Sequence, residues 1–268
     1  MTTDSAASRR VLVTGASKGI GRAIVQLFRG EGFAVLGTSR TPSALADTIE
    51  GVEYLRLDLR DAGSIEDLIR RAGAIDVLIN NAGESQVWPA VDTPLDKVRG
   101  LFEANLFGQI RLIQGLLPGM ISRGRGLVIN VGSLTGKFAV PFQSAYSASK
   151  FALAGYTWSL RNEVRDMGVD IVMLEPGHIS TGIAPEIYAA PDSAFRAKLG
   201  IVAATRVRHV SRGSAPEVVA RKALKIVRSR RRPRPFYATG GKAPLMVFAK
   251  RLFSDRFVEN LIRKIYGL

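Results

Sequence analysis

The chain has 268 residues, enough for one large α/β domain or two small ones, and its 46% hydrophobic and 23% charged residues are typical of a folded protein. The sequence contains no cysteine, which excludes disulfides, thiolate zinc sites and cysteine nucleophiles. The net charge of +15 is concentrated at one end: residues 201–268 hold 17 Lys and Arg against three Asp and Glu. The basicity therefore belongs to a tail and not to the core chemistry.

Short β-branched segments alternate with helical patterns along the chain. The predicted strands are Val11–Val13, Phe33–Leu36, Val52–Leu57, Ile75–Ile79, Leu127–Val131, Val169–Leu174 and Pro235–Ala238. The predicted helices are Ile20–Phe28, Ile65–Arg71, Leu95–Leu117, Ala145–Met167 and Ala215–Val227. This alternation predicts one doubly wound α/β domain, with a parallel sheet of about seven strands and helices on both faces.

The domain boundaries follow from where this alternation starts and stops. We take 9–241 as the α/β domain, 1–8 as a flexible N-terminus and 242–268 as a basic amphipathic extension. The segment 183–213 fits the pattern poorly and is interpreted as a substrate-loop insertion above the carboxyl ends of the strands, where such folds bind ligands.

Neither a secretory signal nor a membrane span is expected. Residues 1–8 are small and polar, and no apolar run approaches the roughly 18–20 residues that a transmembrane helix needs. We therefore expect a cytoplasmic protein that is at most peripheral on a membrane face.

A glycine-rich turn follows the first predicted strand. Residues Thr14–Gly21 read Thr-Gly-Ala-Ser-Lys-Gly-Ile-Gly and lead directly into a helix. Glycines allow a tight turn and a close approach to a pyrophosphate, and the helix N-terminus offers free N–H groups. A tight turn without a ligand would use the same residues, but the strand before it and the helix after it favour nucleotide binding.

The end of the second strand indicates which nucleotide. An NAD site usually places an Asp or Glu about 20 residues after the turn. Here the strand ends in Gly37-Thr38-Ser39-Arg40, and the next carboxylate is Asp47. Arg40 suits a 2′-phosphate, and Lys18 adds a second positive charge nearby, although both residues fit a solvated surface as well. We predict that the cofactor is NADP(H).

Tyr146 and Lys150 are four residues apart on a predicted helix and therefore share one face. A tyrosine with its ordinary pKa of about 10 is a poor acid–base catalyst at neutral pH, and a nearby ammonium favours the phenolate. Alone, such a pair is more often an amphipathic surface turn. However, Ser133 ends the preceding strand at the same sheet edge as the glycine turn, where its hydroxyl can hold a substrate oxygen beside the phenol.

Together these motifs resemble the short-chain dehydrogenase/reductase family over roughly residues 9–240. The glycine turn, Asn80–Gly83 (Asn-Asn-Ala-Gly), Asp58-Leu59 and Pro176–Thr181 match family motifs in order and spacing. The resemblance implies that Asp58-Leu59 contacts the adenine and that Pro176–Thr181 contacts the nicotinamide. The positions that match the family's catalytic residues are Asn105, Ser133, Tyr146 and Lys150. The resemblance implies that the cofactor is bound by Gly15, Ser17, Lys18, Gly19, Ile20, Gly21, Arg40, Asp58, Leu59, Asn81, Ala82, Gly83, Tyr146, Lys150, Pro176, Gly177, Ile179 and Thr181.

The resemblance also implies a Rossmann fold and a role for each catalytic residue. Tyr146 would be the acid in reduction and the base in oxidation, and Lys150 would bind the nicotinamide ribose and favour the phenolate. Ser133 would orient the carbonyl, and Asn105 would hold a water that links Lys150 to solvent. The hydride transfer itself would belong to the cofactor.

The segment Phe142–Leu153 resembles most the hydroxysteroid and retinol dehydrogenase-like branch of the family. We therefore expect an NADPH-dependent reductase of an apolar ketone or aldehyde, steroid-, retinoid- or lipid-like, that assembles as a homo-oligomer. Phe138, Val140 and Phe142 would contribute an apolar pocket wall.

Two alternative functions remain open. One is an NADP-dependent alcohol dehydrogenase that runs in the oxidative direction. The other is a non-enzymatic NADP sensor or scaffold, although such scaffolds typically lose the tyrosine or the lysine. No metal site is expected, because nothing pairs the two histidines with carboxylates.

The basic extension, 242–268, has apolar residues at roughly helical spacing. They are Leu245, Phe248, Leu252, Val258, Leu261, Ile262 and Ile265. Pro244 suits the first turn of one helix, and Ser254-Asp255 suits the start of a second. Three interpretations are open: packing on the protein's own body or on a second subunit, docking on an anionic membrane, and nucleic-acid binding. The last is not expected, because no recognition motif accompanies the charge.

Overall fold

A computed structural model of the protein describes residues 9–182, 185–250 and 252–268, so the predicted flexible N-terminus, residues 1–8, lies outside the described residues. The strands are β1 (Arg10–Val13), β2 (Ala34–Ser39), β3 (Glu53–Arg56), β4 (Val77–Asn80), β5 (Gln86–Val87), β6 (Gly126–Val131), β7 (Val169–Pro176), β8 (Glu186–Ile187) and β9 (Phe236–Thr239). The α-helices are α1 (Gly19–Gly30), α2 (Ala62–Ala72), α3 (Leu95–Phe102), α4 (Gly108–Ser122), α5 (Ser144–Glu163), α6 (Arg196–Ser211), α7 (Glu217–Val227), α8 (Ala243–Lys250) and α9 (Asp255–Ile265).

Seven of these strands form one parallel sheet in the order β3-β2-β1-β4-β6-β7-β9. The doubly wound fold is therefore confirmed, and each of the seven predicted strands is present with its ends shifted by at most three residues. The strand order reverses between β1 and β4. At that point the connections leave to opposite sides and open a crevice at the carboxyl edge of the sheet.

Apolar residues cover both faces of the sheet, which is why the central strands read as continuous apolar runs. On one face, Ile24 and Phe28 of α1 and Val219 and Ile226 of α7 pack against the sheet. On the other face, α2, α4 and α5 pack through residues that include Leu68, Leu112 and Leu160. Each helix thus buries one apolar side, as a covered sheet requires.

The predicted helix Leu95–Leu117 is interrupted in the structure. A π-helical turn, Glu103–Phe107, separates α3 from α4 and holds Asn105 at its centre. A π turn inserts an extra residue into the helix and changes the direction in which nearby side chains point. The predicted helix Ala145–Met167 ends earlier, at Glu163, since the chain turns towards Gly168, where φ is +74°.

The segment 183–213 contains more regular structure than its sequence pattern indicated. In its described part it includes the 16-residue helix α6 and the short strand β8, which pairs with β5. The apolar residues of α6 that are buried, such as Leu199 and Val202, are few and lie between basic residues. Their helical period is therefore weak in the sequence.

Close packing at Gly21 gives a testable prediction. A Cβ at Gly21 would lie 2.1 Å from the carbonyl oxygen of Gly15, whereas a Cβ at Gly30, at the end of the same helix, would meet nothing within 4 Å. We expect Gly21→Ala to lower the free energy of unfolding by roughly 1–3 kcal/mol, because backbone must move. The control Gly30→Ala should be neutral or stabilising by up to about 1 kcal/mol. Urea unfolding measures both, and equal effects of the two variants would contradict this packing.

Candidate active site

The turn between β1 and α1 is tied to the strands on either side of it. The Thr14 hydroxyl accepts hydrogen bonds from the backbone N–H groups of Asn81 and Ala82, each at 2.9 Å. The Asn81 side-chain amide donates to the Thr14 carbonyl at 2.9 Å, and the Gly15 N–H donates to the Thr38 hydroxyl at 3.2 Å. The glycine turn, the Asn-Asn-Ala-Gly segment and the end of β2 therefore form one rigid cradle.

This cradle is open to a phosphate. At Gly15, φ is +67° and an added Cβ would lie 3.0 Å from the Cα of Ala82, so only glycine fits there. The helix α1 begins at Gly19, and among the described residues no side chain caps its N-terminus. Its first N–H groups and the positive end of its dipole therefore face the cradle, which fits the predicted pyrophosphate site.

Arg40 lies immediately beyond β2, at the same sheet edge as the turn after β1, because these two strands are adjacent and parallel. Its side chain is 74% exposed, and its guanidinium lies 3.9 Å from the Glu84 carboxylate. Such an exposed ion pair contributes little energy, so Arg40 is available to a ligand. Glu84 also pairs with Arg60, and neither residue was predicted as part of the site.

Asp58 and Leu59 follow β3 at the same edge. The Asp58 N–H donates to the Ser64 hydroxyl at 2.9 Å, and its carboxylate accepts from the Arg60 N–H at 3.0 Å. The Leu59 carbonyl oxygen would lie 2.1 Å from a Cβ at Gly108, so α4 packs directly on this turn. The predicted adenine-contacting pair is thus held in a fixed position beside the cradle.

Tyr146 and Lys150 lie one turn apart on α5 and face the same side. The Lys150 ammonium nitrogen is 5.8 Å from the centroid of the Tyr146 ring. Lys150 is only 3% exposed and donates to the Val131 carbonyl at 3.4 Å. Burial lowers the pKa of Lys150, while Tyr146 and Glu175 act in the opposite direction. The predicted phenol–ammonium pair is therefore present, and the ammonium of Lys150 is shielded from water.

Ser133 lies directly beyond β6, two residues after the carbonyl that Lys150 contacts. It is half-buried and begins a short 3-10 helix, Leu134–Gly136, by accepting a hydrogen bond from the Thr135 N–H at 3.2 Å. Its hydroxyl proton remains available for donation to a substrate oxygen.

Asn105 is fully buried in the π turn, and its side chain holds the segment after the Asn-Asn-Ala-Gly motif. Its Oδ1 accepts from the Glu84 N–H at 2.7 Å, and its Nδ2 donates to the Glu84 carbonyl at 2.9 Å. A Cβ at Gly83 would lie 2.9 Å from Asn105 Oδ1 and 3.5 Å from Lys150 Nζ. Asn105 and Lys150 therefore meet at Gly83, while the water that Asn105 was predicted to hold stays a prediction.

The segment Pro176–Thr181 leaves the carboxyl end of β7 and is fixed by its neighbours. The Gly177 N–H donates to the Thr239 carbonyl at 2.8 Å, and a Cβ at Gly177 would lie 3.0 Å from the Gly240 carbonyl oxygen. Ile179 is buried and forms a parallel bridge with Ser214. The predicted nicotinamide-contacting segment thus lies at the same sheet edge as the predicted catalytic residues.

The helix α6 and the end of the chain pack together beside the predicted apolar wall. Leu199 and Val202 of α6 form a buried cluster with Tyr266, against which Val140 and Phe142 pack. Part of the extension therefore covers the predicted apolar wall, as the first of the three open interpretations states.

Arg206 of α6, which the sequence analysis missed, anchors this wall from within. Its guanidinium donates to Gln143 Oε1 at 2.9 Å and to the Ser85 hydroxyl at 2.6 Å. Gln143 in turn donates to the Gln86 carbonyl at 2.9 Å. These bonds connect α6 both to the start of α5, which carries Tyr146 and Lys150, and to the segment after the cradle.

A sequence profile described as short chain dehydrogenase matches residues 9–192 of the chain. The chain belongs to the short-chain dehydrogenase family. The predicted family is thereby confirmed, and with it the assignment to oxidoreductases that act on CH–OH or C=O groups.

Several proteins are similar to this short-chain dehydrogenase. Dehydrogenase/reductase SDR family member 7B of Xenopus laevis is 30% identical over 239 residues, which cover 83% of this chain and 72% of the relative. The 3-ketodihydrosphingosine reductase of Bacteroides thetaiotaomicron is 31% identical over 275 residues, which cover 96% and 98% of the two chains. The chain spans between 62% and 75% of the length of the family member 7B proteins that it matches.

Solved structures show the same architecture. A short-chain dehydrogenase from Streptomyces avermitilis has a TM-score of 0.77 at 32% identity, with 91% of this chain and 92% of that chain covered. A short chain dehydrogenase from Burkholderia cenocepacia, solved in complex with NADP, has a TM-score of 0.74 at 23% identity, with 96% and 97% covered. The second likeness supports the fold alone.

Proposed function

We propose that this short-chain dehydrogenase is an NADPH-dependent reductase that converts a ketone or aldehyde of an apolar substrate, lipid-, steroid- or retinoid-like, to the alcohol. The observation that carries the proposal is the half-buried Tyr146 phenol beside the buried Lys150 ammonium, at the sheet edge that also holds the glycine cradle. The apolar wall at Val140 and Phe142 favours an apolar substrate. The name of the Bacteroides relative, which spans nearly the whole chain, also refers to the reduction of a keto lipid.

The residues present fit a phosphorylated dinucleotide. The glycine cradle and the uncapped N-terminus of α1 would bind the pyrophosphate, and Arg40 with Lys18 would bind a 2′-phosphate, which a carboxylate at the end of β2 would repel. Lys150 would donate to the nicotinamide ribose hydroxyls. When bound, NADPH supplies the hydride that reduces the carbonyl carbon.

The side chains of the site would bind and protonate the carbonyl oxygen of the substrate. Ser133 would donate a hydrogen bond to the carbonyl oxygen and hold it beside Tyr146. The Tyr146 hydroxyl would donate its proton to that oxygen as negative charge develops there, and the Lys150 ammonium would stabilise the phenolate left behind. Because Lys150 is buried, this stabilisation is screened little by water. In the oxidative direction the same groups would act in reverse order.

The role of Tyr146 as proton donor can be tested by removing a single oxygen. We expect Tyr146→Phe to lower kcat/KM for NADPH-linked carbonyl reduction by about 10²–10⁴-fold, the usual contribution of general acid catalysis. Tyr156→Phe, on the same helix but packed at the edge of the core, is the matched control and should retain activity. The substrates are a panel of 3-keto lipids, steroids, retinoids and small ketones. Unchanged turnover of every active substrate by Tyr146→Phe would remove tyrosine from the mechanism.

Cofactor preference tests the role of Arg40. We expect kcat/KM with NADPH to exceed that with NADH by at least about tenfold, or 1.4 kcal/mol, and Arg40→Asp to shrink or reverse this ratio. Arg71→Asp makes the same charge change at the far end of α2, where Arg71 is exposed, and should leave the ratio unchanged. A wild-type preference for NADH would contradict the assignment.

The C-terminal extension carries an exposed apolar surface. Leu245 and Phe248 of α8 are 64% and 59% exposed, and Phe257, Leu261 and Ile265 of α9 are exposed on the next helix. We call these five residues the C-terminal apolar surface. Elsewhere the extension packs on the body of the protein: Ala243 of α8 and Tyr266, which follows α9, are buried, and Ile262 of α9 packs against the cluster that contains Tyr266.

We propose that the C-terminal apolar surface docks on an anionic membrane. The segment 201–268, which includes Arg256, Arg263 and Lys264 of α9, carries 17 Lys and Arg against three Asp and Glu. An apolar helix face next to cations is complementary to acidic headgroups over acyl chains, and each basic residue near the surface contributes about 1 kcal/mol. Within the described ranges, no helix is long and apolar enough to cross a bilayer. A second copy of the chain is the other possible occupant.

Vesicle sedimentation tests this docking in the full-length chain. Wild-type protein should sediment with phosphatidylglycerol vesicles at low salt, less so at high salt, and not with phosphatidylcholine vesicles. The triple variant Leu245→Ser, Phe248→Ser, Phe257→Ser should lose binding, while Val91→Ser with Val207→Ser, which replaces exposed apolar residues outside the extension, should bind normally. Absent binding at low salt, or a triple variant that instead dissociates an oligomer in sedimentation velocity, would contradict docking.

A further inference from the structure

Glu175 is a buried carboxyl in a strand that is otherwise apolar at its centre. It is the penultimate residue of β7 and is fully buried, as are Val172, Met173 and Leu174 before it. Neither of its carboxylate oxygens has a hydrogen-bond partner among the described residues. Burying a carboxyl in this way is costly, and an apolar side chain would avoid the cost. Its surroundings show what the carboxyl contributes.

The carboxyl of Glu175 lies beneath the turn that carries Ser133. A Cβ at Gly132 would be 3.3 Å from Glu175 Cγ, and a Cβ at Gly136 would be 3.4 Å from Glu175 Oε1. The same added Cβ at Gly136 would lie 3.0 Å from the backbone carbonyl oxygen of Lys150. Two glycines thus leave the space in which the carboxyl fits between β6, the Ser133 turn and α5.

Two cations act on this carboxyl, Lys150 of α5 and Lys137 at the end of the Ser133 turn. Its neighbours in the sheet, Gly132 just after β6 and Ala238 on β9, do not titrate. Burial raises the pKa of Glu175 to about 7, and the two lysines limit the rise. Reciprocally, Glu175 opposes the fall that burial causes in the pKa of Lys150.

Lys150 needs such a partner. Its ammonium is nearly inaccessible to water, and the hydrogen bond that it makes to the Val131 carbonyl is long, at 3.4 Å. A buried ammonium keeps its charge only where a countercharge offsets the loss of hydration. The phenol of Tyr146 supplies negative charge only after it has given up its proton, whereas Glu175 can supply it throughout the reaction.

We propose that Glu175 is a positioning residue that acts through Lys150: its carboxylate is the buried countercharge that keeps the Lys150 ammonium charged and aligned with Tyr146. The inference rests on the proposed function of Tyr146 and Lys150. It implies that protonation of Glu175 on acidification withdraws the countercharge and lowers turnover. The wild-type pH profile of kcat/KM should therefore have an acidic limb near pH 7 that belongs to Glu175.

The pH profile of kcat/KM in three variants tests the proposal. E175Q should lower kcat/KM at pH 8 by about tenfold and abolish the limb near pH 7. E175D, which keeps the carboxyl group, should retain the limb that E175Q loses. K137M removes a cation that lowers the pKa of Glu175 and should move the limb to higher pH. A wild-type limb in E175Q, or an unmoved limb in K137M, would overturn the proposal.

Thermal unfolding gives a readout that does not depend on activity. Since Glu175 titrates near 7 in the fold and near 4.5 when free, its ionisation disfavours the folded state. The contribution that protonated Glu175 makes to the free energy of unfolding is fully present below pH 4.5 and is lost as the pH rises through 7. The Tm of E175Q minus that of wild type should therefore increase between these values and then level off. A difference that kept rising above pH 7 would show that Glu175 does not ionise in the fold, and a constant difference would show that folding leaves its pKa unchanged; either result would overturn the proposal.

Different results would contradict the role of Glu175 and the proposed reductase function. An inactive Tyr146→Phe variant together with a wild-type pH limb in E175Q would remove the role of Glu175 and leave the proposed function intact. A fully active Tyr146→Phe variant would remove the proposed function itself.

Discussion

The buried ammonium of Lys150 is the constraint around which the site is arranged. A charge taken out of water needs compensation, and the fold places three groups near it: the Val131 carbonyl at the end of β6, the Tyr146 ring one helical turn away and the Glu175 carboxyl beneath the Ser133 turn. Because the surroundings of the ammonium exclude water, its charge is screened little. Gly83 is required at its position, since any side chain there would press on Asn105 and approach Lys150.

The sheet topology supplies the other half of the site. The reversal of strand order between β1 and β4 opens the crevice, and Thr14 fastens the glycine turn to the Asn-Asn-Ala-Gly segment on its far side. The cradle and α5 are then joined through Arg206, which donates to Ser85 after the cradle and to Gln143 at the start of α5. The helix α6 and Tyr266 thus pack against the predicted apolar wall, while the C-terminal apolar surface is exposed.

The sequence predicts those parts of the molecule whose pattern lies within one short segment of the chain. Central strands such as β4 are apolar on both faces, and the pairing of Tyr146 with Lys150 needs only the helical repeat. The π turn around Asn105 and the length of α6 were not predicted, because an inserted residue leaves no periodic signal and α6 buries few apolar residues. Glu175 was also missed, since its proposed role comes from its packing at Gly136 and from the electrostatic effect of Lys150, which only the folded chain brings together.

The central claim, that the Lys150–Tyr146 pair faces the nicotinamide end of the cradle, is tested most directly by a crystal structure of the full chain with NADPH bound. The account predicts that Lys150 Nζ lies within hydrogen-bonding distance of the nicotinamide ribose hydroxyls and that the Tyr146 hydroxyl points at the face of the nicotinamide. A dinucleotide bound elsewhere, or either side chain turned away from its nicotinamide end, would contradict the account.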